Sequence, residues 1–373
     1  MNIGIDARFW NETGVGRYTR NLISELQKID SKNSYTLYSI SKNIPSIQKE
    51  VTSSNFTIKK ADIKWHTLGE QISFPKILEK DKLNLVHFPY FSVPIFYKLP
   101  YVITIHDLIL HHFPTGEAST LPLPIYQLKH AAYKTVIEKA AQKAEKIIAV
   151  SKATKNEIID HLHIKEEKIT VIHEGFDKSL SLNTEGKKSK NTLLHVGNLY
   201  PHKNMERVLD ALQILINKNI DVRLTIVGRK DFFYQKFVKK VNSQGLGSVV
   251  DFKGEVSDKE LQHLYITSTA TIVPSLMEGF GLPALEAMAN RCLVLASNIP
   301  SLKEVGGEAP IYFESLDSAD IAQKISNALT ITEQDVKRRT EIGYNRAQLF
   351  SWAKMGEETL KVYESCASIR QSK

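Results

Sequence analysis

The strongest constraint on this fold is a rhythm: short apolar stretches alternate with helical ones along nearly the whole chain. Strands are predicted at 2–6 (NIGID), 34–38, 84–88, 101–105, 147–150 and 169–172. Helical patterns lie between them, at 17–28 and 125–145 for example. The rhythm breaks at 178–191, KSLSLNTEGKKSKN, which holds almost no large apolar residue and reads as a linker. It then restarts with strands at 192–196, 222–227, 249–252, 270–273 and 292–296. Helices are expected between these, at 204–218, 232–243, 257–265 and 281–290, and an amphipathic helix at 351–367. Such alternation predicts α/β architecture with parallel sheets, and 373 residues suffice for two cores. The expected division is a first domain over 1–177, a linker over 178–190 and a second domain over 191–351. Parallel sheets bind ligands at the carboxyl ends of their strands, so two such halves predict a cleft.

Composition narrows the classes. No run approaches the roughly 20 apolar residues that span a bilayer. The opening MNIGIDARFW reads as a strand and not as a signal peptide. Two cysteines, Cys292 and Cys366, are too few for a disulfide framework. A cytoplasmic protein is expected. The net charge of +8 favours anionic partners such as nucleotide phosphates or acidic lipid surfaces. Part of it lies between Lys129 and Lys146, a stretch that also fits a plain solvated helix face.

The densest chemical signal is MEGFGLPALEAM at 277–288. A strand runs into a turn bracketed by Gly279 and Gly281, and a helix begins near Gly281. Glu278 lies in the turn and Glu286 inside the helix. A helix N-terminus carries unpaired N–H groups and partial positive charge, which suit a diphosphate. A carboxylate in the turn is placed for sugar hydroxyls, and one in the helix for a ribose. Spacing alone fits equally a capped helix start with two exposed glutamates. A second segment, HVGNLYPHKNM at 195–205, sets Lys203 at a helix entry, where its ammonium could neutralise a diphosphate. Arg229 follows the strand at 222–227 and is a further cation at a strand end.

Two weaker signals come from the first half. TGVGRYTRNL at 13–22 resembles a dinucleotide loop but has Thr19 where the third glycine would stand. ITIHDL at 103–108 puts His106 and Asp107 at a strand end, where Asp107 could fix the His106 tautomer and His106 could touch substrate. His106, Asp107, His111 and His112 lack the companion residues of a metal phosphohydrolase. The chain has no Walker lysine loop, no G-x-S-x-G elbow, no zinc spacing and no D-x-D pair for a divalent cation.

Together these motifs resemble retaining glycosyltransferase family 4, whose members have two facing Rossmann-like domains, the GT-B architecture. MEGFGLPALEAM is similar to the family's E-x7-E motif. The resemblance implies that Glu278 contacts the transferred hexose and Glu286 the nucleotide ribose, with Phe280, Gly281 and Leu282 beside the sugar or phosphates. VGNLYPHKN resembles the segment carrying the diphosphate-binding lysine, here Lys203. Many members carry an arginine where this chain has Asn198, and Arg229 is the candidate substitute. Gly14 and Gly16 match the N-terminal glycine loop, and His106 the histidine beside the reacting centre. The terminal helix, 352–368, is implied to cross back onto the first domain.

The implied reaction is metal-independent transfer of a hexose, with retention, from GDP-mannose or a UDP-sugar. No cofactor is expected beyond that donor. The first half most resembles bacterial polysaccharide mannosyltransferases, whose acceptor is a saccharide or lipid-linked saccharide. Peripheral contact with an anionic membrane at its inner face is then expected, through the basic helix and the apolar SVPIFYKLP at 92–100. No nucleic-acid partner is expected. A same-fold epimerase or phosphorylase, or a non-catalytic sugar-nucleotide-binding module, stays open.

Overall fold

The computed structural model describes residues 1–114, 119, 121–177 and 189–371. Most of the 178–191 break therefore lies outside the described residues. The strands are β1 Asn2–Asp6, β2 Ser34–Ser39, β3 Phe56–Lys60, β4 Leu85–Phe88, β5 Tyr101–Ile105, β6 Lys146–Ala149 and β7 Ile169–Val171. After the break come β8 Thr192–Val196, β9 Arg223–Val227, β10 Val250–Gly254, β11 Ala270–Val273, β12 Leu293–Ser297 and β13 Ile311–Phe313. They form a seven-stranded sheet in the order β3-β2-β1-β4-β5-β6-β7 and a six-stranded sheet in the order β10-β9-β8-β11-β12-β13. Every described pairing is parallel. Each half is thus a Rossmann-like sheet whose order reverses once, beside β1 in the first and beside β8 in the second.

Parallel strands covered by helices on both faces must be apolar on both faces. Strands β4, β5, β11 and β12 are accordingly buried at every residue. The two strands that sequence reading missed, β3 and β13, are edge strands. β3 alternates exposed and half-buried residues, and β13 has only three residues. The helices fit their periodicity: Gly14–Ile29 buries Tyr18, Leu22, Ile23 and Leu26 on one face. Several are closed by side-chain caps, Ser151 on the Thr154 amide, Asp231 on the Tyr234 amide and Thr332 on the Asp335 amide. The helix expected at 125–145 runs Leu123–Lys143, so Lys146 belongs to β6 and not to the helix.

The chain divides into two compact units. The first comprises Met1–His111, Pro124–Gly175 and Ser351–Lys373, and the second His112–Leu123 and Phe176–Phe350. The last helix, Trp352–Gln371, packs along Gly14–Ile29. It is pinned by Tyr363, whose hydroxyl lies 2.6 Å from His87 Nδ1, while His87 Nε2 lies 2.8 Å from Thr104 Oγ1. Burial holds the His87 imidazole near pKa 3, so the ring is neutral. Among the described residues no helix is long and apolar enough to cross a membrane. The segment SVPIFYKLP is not an apolar surface, because Ser92, Val93, Pro94, Tyr97 and Pro100 are buried and only Phe96 and Lys98 are exposed. Replacing Tyr363 by Phe strips a buried imidazole of a partner. Denaturant unfolding is expected to show a loss of about 1–3 kcal/mol, and an unchanged midpoint would contradict the pinning.

Candidate active site

In the second unit the strand order reverses between β8 and β11, and the loops leaving these strands carry the predicted residues. The β8 loop closes with a single 3-10 turn, Pro201–Lys203, before the helix Met205–Asn217. The β11 loop leads through Glu278 to the helix Leu282–Ala289. The two loops are stitched together. Asn204 Nδ2 donates to the carbonyls of Pro274, 3.0 Å, and Ser315, 2.7 Å, and the Leu276 amide donates to His202 O, 2.8 Å. Gly197 N–H donates to Val227 O, 2.9 Å, which brings in the end of β9, where Arg229 is exposed.

This stitching places Lys203 Nζ 2.6 Å from Glu278 Oε1, an ion pair with each side chain only 10–15% exposed. Ser275 Oγ donates to the same carboxylate oxygen, 2.6 Å. Burial pushes the Glu278 carboxyl up, but the charge and hydrogen bond of Lys203 and the Ser275 hydroxyl outweigh it, so its pKa lies below the ordinary value. Glu286 is 3% exposed, and its Oε2 accepts from Tyr265 OH at 2.8 Å. The pair of exposed glutamates that spacing alone allowed is therefore not what forms: Glu278 and Glu286 are both drawn inward. Phe280 is buried and packs its ring 5.6 Å from that of Phe350. Gly281 has φ +99°, and a Cβ there would stand 2.5 Å from Leu302 Cδ2, so the turn admits no other residue without strain. Gly281 caps the helix without a side chain; Pro283 has no N–H and the Ala284 N–H donates to Gly281 O, 3.0 Å, so Leu282 carries the first-turn N–H that a capping side chain would otherwise take.

Three buried atoms here lack a protein hydrogen-bond partner: His195 Nε2, Asn198 Oδ1 and His202 Nδ1. Burial holds both imidazoles near pKa 4, so they are neutral. A buried polar atom left unpaired costs about 1–3 kcal/mol, so each of these calls for a partner such as a water or a ligand. Sequence reading assigned no role to these histidines or to Ser275, although His195 and His202 lie inside HVGNLYPHKNM and Ser275 stands two residues before MEGFGLPALEAM.

The remaining candidates lie in the first unit. Gly14 is exposed at the start of its helix, and a Cβ there would meet nothing within 4 Å. Gly16 is buried, and a Cβ there would lie 2.6 Å from the carbonyl oxygens of Phe9 and Trp10, so packing of the β1 loop alone explains that glycine. Tyr18 on the same helix meets the His106 ring edge-on at 4.9 Å. His106 is not oriented by Asp107, whose Oδ1 accepts the Ile109 amide. Its Nε2 faces the Pro89 carbonyl at 2.9 Å and its Nδ1 faces Glu174 at 3.1 Å. A carboxylate and a carbonyl both accept, an arrangement that favours the protonated ring. Burial opposes that charge, but Glu174, the Pro89 carbonyl and the Asp107 charge overcome it and raise the pKa.

Two Rossmann-like parallel-sheet halves of this kind make up the GT-B class of glycosyltransferase fold. A family model described as Glycosyltransferase Family 4 matches residues 13–180, and one described as Glycosyl transferases group 1 matches 178–348. Between them they span residues 13–348, every strand of both sheets except β1, and on the two models together the chain belongs to glycosyltransferase family 4. It is similar to the O-antigen chain mannosyltransferase RfbU of Salmonella typhimurium, 22% identical over 84% of this chain and 87% of that one. It is also similar to the capsular polysaccharide biosynthesis glycosyltransferase CapH of Staphylococcus aureus, 27% identical over 86% and 87%. Among solved structures, Anabaena Alr3699/HepE in complex with UDP and glucose matches with a TM-score of 0.75 and 18% identity, over 98% of this chain and 100% of that one.

A raised folded pKa at His106 means a stability contribution that is complete below the ordinary imidazole value of about 6.5 and lost as pH climbs through the raised value. Glu174→Gln should lower the His106 pKa in an NMR titration and flatten that loss. An unchanged titration would show that Glu174 does not hold the charge.

Proposed function

We propose that this glycosyltransferase transfers a hexose, mannose, from a nucleoside diphosphate sugar to a hydroxyl of a saccharide or lipid-linked saccharide. The reading extends to retention of anomeric configuration and to catalysis without a metal or other cofactor. One observation carries it: the Lys203–Glu278 pair stands at the reversal of a parallel sheet, beside a helix start that lacks a side-chain cap. A diphosphate bears more negative charge than one carboxylate and offers more acceptor oxygens, so it competes for the Lys203 ammonium. Glu278, released, accepts from hexose hydroxyls, and Glu286 from the ribose. The Gly281 and Leu282 amides and Arg229 face the phosphates, GDP-mannose or a UDP-sugar being the donor. The Alr3699/HepE structure holds UDP and glucose, and RfbU is named a mannosyltransferase, which together favour such a donor.

In the proposed reaction the bond from the anomeric carbon to the phosphate oxygen breaks, and a bond to the acceptor oxygen forms on the same face. The acceptor proton passes to the departing phosphate, and the charge that develops there is met by Lys203, Arg229 and the helix start. Within the first unit, Gly14 and His106 stay the candidate residues, His106 through its charge, since both ring nitrogens are engaged. Lys203→Ala should lower turnover about 100- to 1,000-fold, and Glu286→Ala should weaken donor binding about tenfold. Both effects should persist in excess EDTA. Wild-type kinetics from either purified variant would overturn the assignment, and loss of wild-type activity in EDTA would overturn metal independence.

A lipid-linked acceptor brings the protein to the inner face of a membrane. The helix Leu123–Lys143 suits that contact, with Lys129, Lys134, Lys139 and Lys143 exposed alongside Leu123, Ile125 and Leu128. Sedimentation with phosphatidylglycerol vesicles at low salt should retain the protein, and release it when Lys129, Lys134 and Lys139 are changed to Gln. Failure of the wild-type chain to sediment would remove the membrane contact.

A further inference from the structure

The first unit has its own reversal point, between β1 and β4, and its loops carry a feature that the donor reading does not use. The loops leaving β1, β3 and β4 bring Phe9, Trp65 and Tyr90 together. Phe9 lies 4.6 Å from Trp65 at an interplanar angle of 36° and 5.1 Å from Tyr90 at 63°. His66 lies over Phe91, 5.3 Å away at 29°. Burial is graded across the cluster: Phe9 and Phe91 are buried, Trp65 and Tyr90 half-buried, and His66 exposed. Aromatic side chains with a purely structural role are buried, as the other two tryptophans, Trp10 and Trp352, are at 1% and 4% exposure. This one keeps an open edge.

Beneath it, one buried guanidinium ties the loops together. Arg8 is fully buried, holds Asp6 with Nε and Nη2 at 2.8 and 2.7 Å, and reaches Glu70 at 2.6 Å. Glu70 in turn accepts from Ser92 Oγ at 2.7 Å and from the His66 amide at 3.0 Å. The β1 end, the loop before Glu70 and the loop after β4 are therefore fixed to one another. A buried ion cluster adds little net stability over an apolar one, but it defines geometry. Here the geometry that it defines is that of the aromatic face.

We propose that Trp65 and Tyr90, backed by Phe9, form a stacking subsite for a pyranose ring of the acceptor saccharide. The proposal rests on the glycosyl-transfer reading and adds where the acceptor is gripped. A pyranose presents a face of C–H bonds with hydroxyls at its rim. An aromatic face meets the C–H bonds through dispersion and its negative quadrupole, and polar groups at the edge meet the rim. The position fits, since ligands of open parallel sheets settle outside the carboxyl ends of the strands where the order reverses.

Trp65 is the one of the three tryptophans that is not buried, so acrylamide quenching of intrinsic fluorescence reads it selectively. Methyl α-1,3-mannobioside added to the full chain should shield Trp65 and lower its quenching constant about twofold. Trp65→Phe should show no such change. With the same glycoside as acceptor, Trp65→Ala should raise the acceptor KM about three- to tenfold and leave the donor KM within about twofold, while Trp65→Phe stays near wild type. An unshielded Trp65 in the wild-type chain, or an unchanged acceptor KM in Trp65→Ala, would overturn the subsite. Shielding without transfer to any saccharide would instead overturn the transferase reading and leave the subsite standing.

Discussion

In a parallel sheet every strand points the same way, so all the loops that follow strands emerge along one edge. Where the strand order reverses, two neighbouring loops turn away in opposite directions and leave a crevice between them. This chain meets that constraint twice, beside β1 and beside β8. Two of the clusters described above stand at these reversals. The Lys203–Glu278 pair occupies the second, and the Arg8 cluster with its aromatic face the first.

The ion pair at the second reversal explains how a site of this kind can wait for an anionic ligand. An unpaired lysine inside a protein is expensive, and an unpaired carboxylate equally so. Pairing them covers both costs, and in the proposed reaction a diphosphate then claims the ammonium and frees the carboxylate. The unpaired atoms of His195, Asn198 and His202 beside the pair have the same character, polar groups that the protein leaves unfinished. In the first unit the balance is different. Arg8, Asp6 and Glu70 are buried and paired with one another, with Ser92 and with the His66 amide, so what remains at the surface there is aromatic.

Much of this was legible in the sequence, for a physical reason. Central parallel strands are buried on both faces, so β1, β5, β8 and β11 read directly as apolar runs. Edge strands lose that signature, which is why Phe56–Lys60 and Ile311–Phe313 escaped notice. In the site, Lys203, Glu278 and Glu286 were visible because helix starts and glycine turns announce themselves locally. Glu174 was not: it meets His106 from 68 positions away, and Asp107, the near neighbour that sequence reading preferred, turns instead to the Ile109 amide. Gly16 shows a related limit. The sequence marks a glycine, but only the structure reveals that the β1 loop carbonyls, and no ligand, leave room for nothing larger. The aromatic face was out of reach entirely, since its rings come from three loops with no shared motif.

The central claim is that the Lys203–Glu278 pair is the resting state of a nucleotide-sugar site. A crystal structure of the chain soaked with GDP-mannose, or with UDP-glucose if that donor binds more tightly, tests it most directly. The account predicts the Lys203 ammonium on a diphosphate oxygen and Glu278 turned to the hexose hydroxyls. A nucleotide sugar bound elsewhere, with Lys203 still on Glu278, would contradict it.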